Sequence, residues 1–188
     1  ASEAAREASK EKFVVLGYSP QVVQGLFCVG VVGCCTAMAM PIVHLFSHAT
    51  DLGFSRTSAA NMLSVLFGAS FFSRIGFGML ADRIGGVKAL LFASSCQAVM
   101  LVAFAFATSE MSLYISALMF GIGFGGIMPN YALIIRLWYP SYQIGWRVAL
   151  TYLFAAIGMA FGGWLGGMLY DLNGTYTHAF LVGFGFNI

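Results

Sequence analysis

Five apolar stretches, each long enough to cross a bilayer as a helix, dominate the sequence: roughly residues 21–45, 57–80, 86–107, 111–137 and 145–170. A hydrocarbon core of about 30 Å takes about 20 helical residues at 1.5 Å each. None of the stretches alternates between apolar and polar, as strands of a membrane barrel would. The chain is therefore expected to be an all-α membrane protein whose outer solvent is largely lipid. Charge agrees with this: only 9% of residues are charged and 60% are hydrophobic, whereas a soluble domain carries about a quarter charged residues. The net charge is +2, and no basic stretch is interleaved with aromatic residues as a nucleic-acid face requires, so nucleic acid is not an expected partner.

The punctuation divides the chain into a polar leading segment, residues 1–19, and a helical bundle, residues 20–188. The leading segment mixes Glu3, Arg6, Glu7, Lys10, Glu11 and Lys12 and reads as solvated and able to form a helix. Ser19-Pro20 suits a helix start, because proline is tolerated at the first helical position. Turns are expected at 48–56, 82–86, 108–110, 140–142 and 171–176. A last apolar run, 177–188, covers only about 18 Å as a helix and reads as a partial sixth span. Ala1 and this run make both ends read as cut, so a fragment is expected. Basic residues set the orientation. With residues 1–19 cytoplasmic, that side holds Arg6, Lys10, Lys12, Arg83, Lys88, Arg136 and Arg147, against Arg56 alone on the other.

Glycine concentrates in the fourth stretch, at Gly121, Gly123, Gly125 and Gly126, and in the fifth. There, Gly158, Gly162 and Gly166 recur every four residues, as do Gly163 and Gly167. Small residues at this spacing let helix backbones approach closely in lipid. Pro129 is a candidate bend. The four cysteines, Cys28, Cys34, Cys35 and Cys96, fall inside apolar runs and read as small buried hydrophobes. His44 and His48 stand one turn apart without an evident third ligand, and read as interfacial rings rather than a metal site.

Between the second and third stretches the chain reads Gly78-Met79-Leu80-Ala81-Asp82-Arg83-Ile84-Gly85-Gly86-Val87-Lys88. This resembles the cytoplasmic loop signature of the major facilitator superfamily, with Gly86 in place of its usual second basic residue. The resemblance implies a six-helix half of a twelve-helix fold, with five complete spans and a partial sixth, from the family's helix seven into helix twelve. It also implies an N-terminal half as partner. In such a loop Asp82 can accept hydrogen bonds from Arg83 and from a neighbouring helix N-terminus, whose dipole favours a carboxylate. Gly78, Asp82, Arg83, Gly85 and Lys88 are then a conformational latch.

A narrower resemblance rests on His44 to Gly53 (HLFSHATDLG), Gly123 to Pro140 (GFGGIMPNYALIIRLWYP), Gly167 to Tyr176 (GMLYDLNGTY), and Arg74 four residues before Gly78. These look like the monocarboxylate porter and oxalate/formate antiporter branch. In that branch an arginine matching Arg74 helps bind the substrate carboxylate. Ser70 stands where some monocarboxylate porters have an aspartate, which argues against proton coupling there. The fifth stretch lacks the oxalate exchanger's lysine, which argues against a dicarboxylate.

Physics singles out the same arginine. Arg74 lies about 9 Å to the cytoplasmic side of the midpoint of its stretch, and an arginine inside a span is costly and by default functional. No Asp or Glu lies inside any span, so Arg74 must face water, another part of the protein, an anionic ligand, or the headgroups by snorkelling. Ser70, one turn away, is expected on its face. Asn130 and Tyr152 reach similar depth, about 7–9 Å from their midpoints. One guanidinium with amide and hydroxyl donors suits a single carboxylate.

The expected function is secondary transport of a small organic anion, a monocarboxylate, by alternating access in a multi-pass cell-membrane protein, with no cofactor. Symport and antiport both remain open, as do a non-carboxylate substrate and a transporter-like receptor that binds without carrying. An intramembrane enzyme is disfavoured, because no H-E-x-x-H, histidine-rich iron site or G-x-S-x-G turn is present.

Overall fold

A computed structural model describes residues 15–188, so the charged part of the leading segment, and its expected helix, lie outside the described residues. The described end of that segment is a tight turn rather than a helix. Val15 and Tyr18 exchange both backbone hydrogen bonds, at 2.9 and 3.0 Å, across Leu16 and Gly17 with φ of 54° and 80°. Val15 is buried with Val23, Ile135 and Tyr139, while Leu16 and Tyr18 stay exposed.

Six helices follow: α1 Pro20–Asp51, α2 Arg56–Ile84, α3 Gly86–Phe106, α4 Glu110–Trp138, α5 Ser141–Asn173 and α6 Thr177–Asn187. The first five are long and apolar enough to cross a membrane. Local chemistry sets their ends. The Ser55 hydroxyl accepts from the Ser58 amide at 3.1 Å, satisfying a donor at the start of α2 that lacks a partner within the helix. Ser109 and Ser112 form a reciprocal capping box at α4. Gly174, at φ 67°, closes α5 in the left-handed conformation.

The helices overrun the apolar stretches. α1 continues to Asp51 and α5 begins at Ser141, because backbone hydrogen bonding carries on through polar turns until a cap or glycine stops it. The largest difference falls at the loop expected over 82–86. α2 runs through Asp82 and Arg83, and only Gly85, at φ 89°, separates it from α3. Asp82 and Arg83 are thus last-turn helical residues, not loop residues. α4 likewise runs unbroken through Pro129.

Glycine decides the packing. On α4, Gly121 lies against the Leu66 carbonyl and Gly125 against the Ser70 carbonyl, both of α2. The Ser73 hydroxyl donates to the Ile122 carbonyl across the same seam. On α5, Gly158 and Gly162 meet the Val32 and Thr36 carbonyls of α1, and the Thr36 hydroxyl donates to the Gly158 carbonyl at 3.1 Å. The Gly158, Gly162 and Gly166 repeat is therefore buried against α1. The parallel repeat is not equivalent: Gly163 and Gly167 meet only side chains, at 3.5 and 3.9 Å. The result is two tight pairs, α1 with α5 and α2 with α4, with α3 beside α4 and α6 bridging α1 and α3. Phe104, Phe120 and Phe180 fill the space between them.

The histidines differ from the interfacial expectation. His44 and His48 are 8% and 5% exposed, because α5, α6 and Tyr176 cover that end of α1. The His44 ring stacks on Tyr176 at 5.1 Å, and its Nε2 lies 2.9 Å from the Gly163 carbonyl oxygen.

Candidate functional site

Arg74 lies on the exposed face of α2, between exposed Phe71 and Ile75. Ser70 does not share that face. It is 3% exposed, it sits in the α2–α4 seam against Gly125, and its hydroxyl donates to the Phe67 carbonyl at 2.8 Å. Four residues at about 100° each leave a 40° offset. At the edge of a buried seam, that offset is enough to put one residue inside and the other out.

Asn130 is also buried, at 2% exposure, and its amide donates to the Gly126 carbonyl of its own helix at 2.6 Å. Tyr152 of α5 is 43% exposed. Among the described residues α2 and α5 do not pack against each other, so Arg74 and Tyr152 stand on separate pairs. The four candidates are not gathered into one pocket within this chain.

The latch residues are partly gathered. Gly78 and Asp82 share a cleft of about 270 Å³ with Pro129, Asn130 and Arg136 of α4. The cation across this cleft from Asp82 is thus Arg136, on a neighbouring helix, whereas Arg83 is its neighbour in sequence. Arg83, Gly85 and Lys88 are exposed. Because α2 and α4 carry the two sides of the cleft, sliding one helix along the other changes the distance between the two charges. Asn130 belongs to this cleft rather than to the surroundings of Arg74.

A polar cluster at the start of α5 surrounds Arg147, which in the sequence looks only like a cytoplasmic charge. Arg147 is 2% exposed. Its Nε and Nη2 both donate to Gln143 Oε1, at 2.9 and 2.7 Å. Its Nη1 reaches the Pro20 carbonyl and Gln24 Oε1 of α1, each at 3.4 Å. The guanidinium lies 4.0 Å over the Tyr139 ring and 4.4 Å from that of Trp146. Gln24 in turn donates to the Thr151 hydroxyl at 3.0 Å. A second cluster joins Gln97 of α3 to Asn187 of α6 at 2.7 Å and to the Cys34 carbonyl of α1 at 3.1 Å. The signal for both was legible: Gln24 and Gln97 interrupt otherwise apolar runs, and such residues commonly bond across helices in lipid.

Comparison with known proteins agrees with this architecture. A solved structure of a POT family transporter in complex with 5-aminolevulinic acid superimposes with a TM-score of 0.79 at 19% identity, over 94% of this chain and 37% of that one. Monocarboxylate transporter 13 of Rattus norvegicus is 29% identical over 149 residues, 78% of this chain and 35% of the relative. The 4-hydroxybenzoate transporter PcaK of Pseudomonas aeruginosa is 28% identical over 133 residues, 71% of this chain and 30% of the relative. A gallate transporter of Pseudomonas putida is 27% identical over 124 residues, 66% of this chain and 28% of the relative. The chain thus spans about a third of the length of the curated relatives it matches. These relatives are transporters rather than enzymes. The profile of the Major Facilitator Superfamily matches residues 25–188. With five membrane-crossing helices in a transporter fold and a family match over most of its length, this multi-pass membrane chain belongs to the Major Facilitator Superfamily.

Proposed function

We propose that the protein containing this chain is a secondary transporter of a small organic anion, a monocarboxylate, working by alternating access in the cell membrane. One observation carries the reading: Arg74, inside a membrane-crossing helix, lies on its exposed face. A guanidinium presented to hydrocarbon costs several kcal/mol. That face of α2 is therefore turned toward a wet, protein-lined space, where the charge can meet a carboxylate. An N-terminal half supplies the opposite wall in this proposal. Tyr152, exposed on the other helix pair, faces the same space in this proposal, while Ser70 and Asn130 are buried in the α2–α4 pair that carries Arg74, each bonded to its own helix. Asp82, Gly78 and Arg136, with Arg83, Gly85 and Lys88 at the same end, are the latch that differs between the two open states. The solutes for which the relatives are named support the class, since monocarboxylates, 4-hydroxybenzoate and gallate all carry one carboxylate.

Counterflow of labelled lactate and 4-hydroxybenzoate into proteoliposomes of the full-length protein tests this proposal. Uptake that excess unlabelled acid drives, and that the neutral amide of either acid does not, is the expected result. Binding without counterflow would instead make the protein a receptor. Equal carriage of the amides would remove the anion from the mechanism.

A further inference from the structure

We infer that the α1–α5 seam holds a second anion site, centred on Arg147 and separate from the face that carries Arg74. The ligand is an amphiphilic anion, with an oxyanion head and a short apolar body.

The inference starts from charge. Arg147 is 2% exposed, and among the described residues every hydrogen-bond acceptor around it is neutral: Gln143 Oε1, Gln24 Oε1 and the Pro20 carbonyl. Amide oxygens satisfy N–H groups but leave the positive charge uncancelled, and an uncompensated buried cation is strongly unfavourable. The two edges of the guanidinium are not equally occupied. Nε and Nη2 fork onto Gln143 at 2.9 and 2.7 Å, which is good geometry. Both contacts of Nη1 are 3.4 Å, beyond the usual N–H to O range. The weakly held edge is therefore the one shared with Gln24. The Tyr139 and Trp146 rings, with centroids 4.0 and 4.4 Å from the guanidinium carbon, add cation–π contacts that help hold the group in place.

Gln24 and Arg147 both line a cavity of about 380 Å³. Gln21 adds a second amide, while Cys28, Val29, Leu150 and Phe154 supply apolar wall. An oxyanion at Nη1 would complete a bidentate or bridged pair, which is the strong form of arginine recognition, and the apolar wall suits the ligand body. Two sources have this chemistry: a soluble aromatic carboxylate, and the phosphate headgroup of an anionic lipid.

Gly25 also lines the cavity and has open space around the position of a Cβ. Gly25→Phe therefore adds bulk at the cavity wall without replacing Arg147 or any of its hydrogen-bond partners. Equilibrium dialysis of labelled benzoate against the full-length protein, in neutral-lipid nanodiscs, distinguishes the sites. The expected stoichiometry is two, falling to one in Gly25→Phe and in Arg147→Gln, with the lost site weakened about tenfold or more. Arg74→Gln also falls to one, but keeps the Gly25-sensitive site, so failure at Arg74 is separable from failure here. If lipid is the source, benzoate stoichiometry is unaffected by Gly25→Phe, and native mass spectrometry finds phosphatidylglycerol retained by wild type and lost in Gly25→Phe and Arg147→Gln. If Arg147→Gln does not insert, the Gly25→Phe result alone decides. The inference is overturned if neither benzoate nor phosphatidylglycerol binding responds to Gly25→Phe.

Discussion

Gly158 rests on Val32 so closely that a Cβ added to the glycine would lie 2.6 Å from the valine carbonyl oxygen. The α1–α5 pair is thus held backbone against backbone at this point, and no flexible side chain is available to give way. Gly158→Leu should force the helices apart at a cost of about 1–3 kcal/mol or more. Gly145 of the same helix has nothing within 4 Å of its Cβ position, so Gly145→Ala should be neutral or stabilise by up to about 1 kcal/mol. Thermal unfolding of the purified full-length protein, followed by size-exclusion chromatography, compares them. Equal melting of the two variants would show that the close approach contributes nothing to stability.

Arg74 separates recognition from anchoring. A carboxylate fork needs the planar guanidinium, so Arg74→Lys should bind monocarboxylate poorly despite keeping its charge. Arg74→Gln should bind worse still, by roughly 10–150-fold, as a charge-assisted bond worth about 1.5–3 kcal/mol becomes a neutral one. Snorkelling to the headgroups predicts that lysine substitutes well. The measurement is substrate affinity in reconstituted protein, with insertion checked separately. Near wild-type affinity in Arg74→Lys would make Arg74 an anchor.

Asp82 and Arg136 face one cleft from two helices. If their attraction favours one conformation, Asp82→Asn and Arg136→Gln should change counterflow rates in the same direction, by up to about fivefold for an exposed pair. Substrate affinity should change less. The double variant should then resemble either single one. Additive effects, or loss of binding with unchanged exchange, would dissolve the latch.

From the basic bias, residues 1–19, 81–86 and 138–144 should be cytoplasmic and 47–56, 108–111 and 171–176 external. Ser109 and Ser141 are both exposed and stand at the N-terminal ends of α4 and α5. In a background without the four native cysteines, Ser109→Cys should react with an impermeant maleimide added outside, and Ser141→Cys only after permeabilisation. Labelling of both from one side would overturn the orientation.

Much of this architecture follows from the sequence alone. Twenty-residue apolar runs admit only helices in lipid, since every backbone polar group must bond within the segment. The four-residue glycine repeat in α5 marked a close helix contact before any partner helix was known, and the signature from Gly78 to Lys88 marked a junction between spans. What the sequence left open is direction around each helix. Ser70 and Arg74 look like neighbours on one face, yet one is sealed under Gly125 and the other exposed. Gly158 and Gly163 belong to equally good repeats, yet only the first touches a backbone. Arg147 reads as a surface charge until Gln24, Tyr139 and Pro20 close over it from elements more than a hundred residues away or across a turn. Hydropathy depends on the chemistry of a residue and so is written locally. Burial depends on which helix is packed beside it, and only the tertiary structure decides that.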